Sequence, residues 1–210
     1  MHMFIGQQLA APFQGHPDPK GDLPSLKAEM RDHNQTIARL RYKLCAAFDQ
    51  FDVPKAVQAD ILDSAQLWYC FSLGSQTEIA GDDLNVIYQK FDPKIHCSLC
   101  EAQTLRVVRI AGVSHDQGWA DLQRRSTGES WTWVEMELQD NGMVVVAPER
   151  AYTNRPANYE FAYYEQDFDI SSQLVKQWEP GMYIITRLRS MYGGWEMHAK
   201  AGRIMTFHCF

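Results

Sequence analysis

The spacing of apolar residues changes near the middle of the chain, and this change limits the folds that the sequence can adopt. Before residue 92, apolar residues recur every three or four positions, which is typical of amphipathic helices. After residue 104 they alternate with polar residues, as in strands with one buried face. We therefore predict an α+β fold, in which an N-terminal helical hairpin and a third helix pack on a C-terminal antiparallel sheet.

The beginning of the chain is rich in proline and glycine, residues that interrupt both helices and strands. This composition predicts that residues 1–24 form a flexible arm. A chain of 210 residues, 45% of them hydrophobic, can bury a core without disulfides or metals. Residues 25–210 are thus expected to form one α+β domain, helical over 25–92 and mainly β over 101–210.

Three helices are predicted in the first half. Ser25 is a suitable N-cap for the first, and Pro54 stands at a first-turn position for the second, which is expected to end at Gly74. Asp82–Phe91 has the spacing of a shorter third helix. A further short helix is expected within Ile170–Trp178, capped by Asp169 or Ser171.

The second half has the alternation of strands and two turn signals. Asn141-Gly142 favours a type I′ turn, because both residues tolerate a positive φ. Gly193-Gly194 predicts a second hairpin. The predicted strands are Thr104–Val113, Trp131–Leu138, Met143–Ala147, Tyr159–Tyr164, Met182–Met191, Trp195–Ala199 and Arg203–Cys209.

Residues 131–178 are acidic and aromatic at once. Acidic side chains outnumber basic ones there by eight to three, so this segment carries most of the net charge of −6. The acidic balance argues against nucleic-acid binding, which requires a basic surface, and no apolar run is long enough to span a membrane. An acidic, aromatic surface suits a basic protein partner. The predicted partner-binding residues are Trp131, Trp133, Glu135, Glu137, Asp140, Glu160, Tyr163, Glu165, Asp167 and Asp169.

Five irregularly spaced cysteines indicate reduced thiols rather than a disulfide framework, with a cytoplasmic location as the expectation. Cys97 and Cys100 have the spacing of a metal knuckle, and His208 and Cys209 are the matching second pair. Neighbours on a strand point to opposite faces, so His208 and Cys209 do not ligate together easily. We predict no metal site and no cofactor.

Two sets of residues leave acid–base chemistry open. His115-Asp116 lies in a polar segment, and Glu196 and His198 share one face of a predicted strand. Either pair is as readily explained as ordinary surface. Whether the chain is an enzyme is therefore undecided, although no nucleophile or phosphate-loop motif favours it.

Part of the acidic segment resembles a known family. Trp131-Thr132, Asp140, Gly142 and Tyr152, followed by Tyr164, Asp167, Ile170-Ser171 and Trp178, are similar to the C-terminal hairpin, acidic turn and helix of the YezG-like immunity proteins of bacterial polymorphic toxin systems. The resemblance covers roughly residues 131–178. It implies a small cytoplasmic protein that binds and neutralises a secreted toxin, often a nuclease.

The function predicted from the sequence is therefore a non-catalytic protein-binding module, an immunity protein that neutralises a basic, nuclease-type toxin through an acidic aromatic face. The oligomeric state is left open. A second hypothesis is a small α+β enzyme or ligand-binding domain with an aromatic pocket, and a third is a structural or adaptor subunit that docks through the segment 12–24. The pocket of the second hypothesis would be lined by Trp68, Tyr69, Trp133, Tyr163 and Trp195, with His198 or His115 as a polar group.

Overall fold

The structure is a computed structural model that describes residues 23–65, 68–93, 104–117, 130–156 and 159–209. About twice as many residues lie in strands as in helices, and the strands form two antiparallel sheets. The predicted α+β class, a helical hairpin and third helix on one sheet, is therefore wrong. Most of the apolar surface is buried between two sheets and not between helices and a sheet.

The described chain divides into two compact units. The first contains residues up to Cys70 and those from Phe207 onwards, and its helices are α1 (Leu23–Gln50) and α2 (Lys55–Ser64). Its small core is centred on Ile37 and Leu62. The side-chain amide of Asn34 donates to the Cys70 carbonyl at 2.8 Å and accepts from the Cys70 N–H at 2.9 Å, which fixes α1 to the segment that follows α2.

Within the second unit, Phe71–Thr206, the described residues form strands and one short helix. Their bounds are β1 (Tyr69–Ser75), β2 (Ile79–Gly81), β3 (Asn85–Phe91), β4 (Thr104–Asp116), β5 (Thr132–Asp140), β6 (Met143–Thr153), β7 (Ala162–Phe168), α3 (Gln173–Gln177), β8 (Tyr183–Ser190) and β9 (Met197–Cys209).

The first sheet has the order β1-β9-β4-β7, with β2 also paired to β9, and the second sheet has the order β3-β8-β5-β6. Among the described strands from β2 onwards, consecutive strands lie in different sheets, except β5 and β6, which form a hairpin. Leaving β2 aside, this is the strand order of an eight-stranded jelly roll, a sandwich of two antiparallel sheets. Strands β7 and β6 lie at sheet edges.

One core lies between the sheets. Alternate residues of β4 and β9 face alternate residues of β5 and β8, and α3 covers one margin with Leu174, Val175 and Trp178. Val108 and Ile110 of the first sheet and Met136 and Leu138 of the second are at most 1% exposed. The other parity of each strand forms the outer faces of the sandwich, which point in opposite directions.

Three predicted elements are corrected. Asp82–Phe91 is not a helix, because β3 occupies it. A β-bulge between Ile87 and Gln89 adds one residue to that strand, and the resulting spacing of apolar side chains imitates a helix. The second helix ends at Ser64 and not at Gly74, since the chain enters β1 at Tyr69.

The second predicted hairpin is also wrong. Strands β8 and β9 flank Gly193-Gly194 but lie in different sheets, and β9 continues unbroken from Met197 to Cys209. The pattern of turn residues indicated a reversal but did not specify which neighbour each strand takes.

Other local predictions are confirmed. The first helix is present, although Ser25 lies inside it and is therefore not its N-cap. Asn141 and Gly142 have φ values of 48° and 84° as the hairpin turn requires. The short helix α3 lies within the predicted range, but its N-cap is Ser172, whose hydroxyl accepts from the Leu174 N–H at 3.1 Å. Among the described residues, no helix has the length and apolar character needed to cross a membrane.

Candidate functional site

A row of acidic side chains lies along the edge strand β7. Residues Tyr163, Glu165 and Asp167 have the parity that faces away from the core, whereas Phe168 faces into it. Glu165 and Asp167 are exposed, and Glu160 and Asp169 extend the row beyond the two ends of the strand. Half of the predicted partner-binding residues therefore lie together on one edge, which we name the acidic edge: Glu160, Tyr163, Glu165, Asp167 and Asp169.

Arg109 on the neighbouring strand β4 organises the middle of the acidic edge. Its Nε and Nη2 donate to the two Asp167 carboxylate oxygens at 2.6 and 2.8 Å, and its Nη1 lies 3.3 Å from Glu165 Oε1. The hydrogen bond with Asp167 is the main cause that raises the pKa of Arg109. One guanidinium thus orients two carboxylates and leaves the pair with a net negative charge.

Two further contacts hold side chains of this row, one within β7 and one at its Asp169 end. The Tyr163 hydroxyl donates to Glu165. The pKa of Tyr163 is raised mainly by burial and secondly by this hydrogen bond. Asp169 accepts from the N–H and the hydroxyl of Ser171 at 2.8 and 2.6 Å, and these bonds lower the pKa of Asp169. The carboxylate of Asp169 is therefore held in its charged form at the start of the turn before α3.

The remaining acidic predictions lie on the other side of the sandwich. Glu135 and Glu137 belong to the outer face of the second sheet, where they pair with Arg189 at 3.4 Å and Arg187 at 3.0 Å. The Glu137 side chain is only 3% exposed. Asp140 stands at the start of the β5–β6 turn.

Trp133 lies on the same outer face and is also buried. Its indole N–H donates to Glu135 at 3.1 Å, and the Arg150 guanidinium stacks over its ring at 4.6 Å. The ten predicted residues therefore do not form one surface. Those on the second sheet are largely neutralised by arginines of their own sheet.

The end of the sandwich where β4 ends and β9 begins carries two groups of packed rings, and we name it the loop end. Phe161, just before β7, contacts His115 edge-on at 4.5 Å, and His115 stacks on His198 at 4.4 Å with an interplanar angle of 6°. His198 Nε2 lies 3.2 Å from Glu196 Oε2. Burial lowers the pKa of His115, and the neighbouring His198 lowers it further, although a bond with the Asp116 backbone opposes both.

The second group of rings at the loop end includes the predicted residue Trp131. Tyr192 packs perpendicular to Trp131 with ring centroids 5.0 Å apart, and its carbonyl accepts from the Trp195 N–H at 3.3 Å. Tyr159, Phe161 and Tyr192 are 65%, 39% and 57% exposed. Exposed rings thus lie at the loop end, where Phe161 directly follows Glu160 of the acidic edge, but most of them were not selected by the sequence reasoning.

A buried polar network supports the loop end from beneath. The Ser114 hydroxyl donates to Asn154 at 2.6 Å, the Asn154 amide donates to Thr132 at 2.9 Å, and the Ser130 hydroxyl donates to Asp116 at 2.7 Å. These groups join the ends of β4, β5 and β6. Because every member is buried and bonded, the network holds the surface above it in one arrangement.

Sequence reasoning missed one local signal and one arrangement that depends on long-range pairing. Tyr192 stands directly before Gly193-Gly194, a position that marks an exposed turn with an aromatic residue at its start. His115 and His198 were considered as separate acid–base candidates, whereas the structure stacks them on neighbouring strands. Residues 83 positions apart can be brought together only by the pairing of β4 with β9, which the alternation pattern does not specify.

The structure also bears on the candidate metal ligands and on the aromatic pocket of the second hypothesis. Cys97 and Cys100 lie outside the described residues, and His208 and Cys209 are buried on β9. Within the described part of the chain, no group of three or more potential ligands can hold a metal ion. The aromatic pocket is not assembled as expected, since Trp133 and Tyr163 lie on outer faces of different sheets.

No family model matches the sequence, and no curated protein matches it. Among solved structures, the infectious bursal disease virus VP2 subviral particle has 6% identity and a TM-score of 0.35, covering 66% of this chain and 32% of that one. Tailspike protein 4 of bacteriophage CBA120 has 13% identity and a TM-score of 0.31, covering 65% and 19%. This chain spans a third or less of either protein. Likenesses this weak support neither a relationship nor a function.

Proposed function

We propose that this protein is a non-catalytic binding module that captures a basic protein through the acidic edge and the adjoining rings of the loop end. The observation that carries the proposal is the run from Tyr159 to Ile170. Within these residues, four carboxylates and three large apolar side chains (Tyr159, Phe161 and Ile170) project from the edge of a sheet. Carboxylates attract a basic surface over a distance, and exposed aromatic groups add short-range affinity.

Rigidity supports the same proposal. The middle of the acidic edge is fixed by Arg109, and its Asp169 end by Ser171. A surface held in one arrangement loses less conformational entropy when a partner binds. Loops at the end of a β-sandwich are a common place for such recognition.

The specific form of the proposal is an immunity protein that acts in the cytoplasm on a basic, nuclease-type toxin. The motif resemblance over residues 131–178 supports this form, and so does the sign of the charge on the acidic edge. A nuclease binds phosphate and is basic around its active site, so a rigid acidic surface would be drawn to that site and cover it.

Affinity capture tests the proposal with a matched pair of variants. The edge variant carries Glu160→Gln, Glu165→Gln and Asp167→Asn, and the control variant carries Asp32→Asn, Asp60→Asn and Glu179→Gln. Both remove three exposed negative charges, and amides at 165 and 167 still accept hydrogen bonds from Arg109.

We expect the wild-type chain and the control variant to retain the same basic protein from a lysate of the source cells at low salt, and to release it at high salt. The edge variant should retain much less of it. Inhibition of a nuclease activity of that protein at a one-to-one ratio would support the immunity form. Equal retention by the edge and control variants would exclude the acidic edge as the binding surface.

A further inference from the structure

Tyr192 has a backbone conformation that tyrosine rarely adopts. Its φ is +77°, in the left-handed region, where a side chain with a Cβ meets the backbone. The two following residues are glycines, and Gly194 has a φ of +87° at no such cost. A glycine at position 192 would therefore fit the turn better than the residue that is present.

The strain at Tyr192 does not serve to bury its side chain. The ring is 57% exposed, and Met191 beside it is 37% exposed. The backbone is nevertheless well held, because the Met191 N–H donates to the Trp131 carbonyl at 2.9 Å and the Trp195 N–H donates to the Tyr192 carbonyl. The perpendicular contact with Trp131 then fixes the direction of the ring. Strain retained for an exposed, oriented group is typical of a binding site.

Exposed carboxylates on the same and the neighbouring turn indicate which group would occupy the ring. Glu196 follows the same turn with a side chain that is 48% exposed. Asp83 is exposed and precedes Leu84, which exchanges hydrogen bonds with Ser190, the residue before Met191. An aromatic face attracts a cation through its quadrupole, and exposed carboxylates on adjoining turns add to that attraction.

The same chemistry recurs within the protein. The Arg150 guanidinium lies 4.6 Å from the Trp133 ring centroid, and the Lys90 ammonium lies 3.8 Å from that of Tyr183. We propose that Tyr192, oriented by Trp131, is a platform for a guanidinium or ammonium group of the basic partner. This inference rests on the proposed function and names the contact that the loop end contributes to it.

The test uses a fluorescently labelled arginine nonapeptide as the probe, with binding followed by anisotropy at low salt. The variant Tyr192→Gly removes the ring and the strain together, whereas Tyr192→Phe keeps the ring. Tyr42→Ala, at a tyrosine of α1 that is 77% exposed, is the matched control. Tyr192→Gly should weaken binding of the peptide about three- to tenfold. It should also raise the Tm by about 2–4 °C, since the backbone strain is relieved.

Both other variants should bind within twofold of the wild-type chain. Wild-type affinity or a lowered Tm in Tyr192→Gly would overturn the inference, as would a wild-type chain that does not bind the peptide. The edge variant, measured in parallel, separates this inference from the proposed function. Weaker binding by Tyr192→Gly with unchanged binding by the edge variant would support the platform and contradict the acidic edge. Unchanged binding by Tyr192→Gly with weaker binding by the edge variant would contradict the platform and support the acidic edge.

Discussion

At the scale of single residues, the sandwich is close-packed where β4 passes β6. Gly112 of β4 faces the Tyr152 hydroxyl, and a Cβ at position 112 would overlap that oxygen and approach the Ala201 carbonyl oxygen at 3.3 Å. The Tyr152 ring cannot move aside freely, because it stacks on Tyr164 at 4.9 Å. The glycine is therefore required by space and not by its backbone conformation.

Gly112→Ala is expected to destabilise the fold by about 1–3 kcal/mol, the usual cost of overpacking a core. The measurement is the free energy of unfolding from urea titration. Adding Tyr152→Phe removes the overlapping oxygen, so the double variant should lose less stability than the sum of the two single variants. Additive losses would show that the hydroxyl is not the obstacle.

His208 makes stability depend on pH. Burial lowers the pKa of this residue to about 4, below the value near 6.5 of an exposed histidine. The fold therefore favours the neutral form. That contribution is complete above pH 6.5 and is lost as the pH falls from 6.5 towards 4, by about 2–3 kcal/mol between pH 7 and 4.5.

Urea titrations of the wild-type chain and His208→Gln at pH 7 and 4.5 would measure this contribution. The variant should lose less stability on acidification, by about the same 2–3 kcal/mol. The carboxylates titrate in both proteins, so their contribution to the loss of stability cancels when the two proteins are compared. An equal loss in the two proteins would contradict a buried neutral histidine.

At the scale of the elements, the helices, strands and turns that depend on neighbouring residues alone were predicted correctly from the sequence. The first helix, the Asn141-Gly142 turn and the strands β4, β5 and β6 were recognised, because periodicity and turn chemistry act over a few residues. β3 was mistaken for a helix because of its bulge. Partners in the sheets were not predictable, since β9 pairs with β4 across about 90 residues of chain.

The candidate site was predictable to the same extent. Residues Glu160 to Asp169 are close in sequence, so one strand brings them to one edge. The contributions of Arg109, of the histidine stack and of Tyr192 depend on long-range pairing, and alternation alone does not reveal it. Glu135 and Glu137 were selected by charge, but their arginine partners come from β8.

At the scale of the whole molecule, the two sheets divide the negative charge. Glu135 and Glu137 are paired with arginines on the outer face of the second sheet, while the acidic edge remains exposed on the first. The net charge of −6 therefore understates how uneven the surface is. A partner should be steered towards one edge of the sandwich and not towards the molecule as a whole.

The most direct test of this account is the salt dependence of the Kd for the purified basic partner, measured by titration calorimetry between 50 and about 300 mM salt. Compared with the wild-type chain, the edge variant should bind about tenfold more weakly at low salt, with a shallower dependence on salt. The control variant should follow the wild-type chain, although it has lost the same charge. Coincident curves for the edge and control variants would show that only net charge matters, and would contradict binding at the acidic edge.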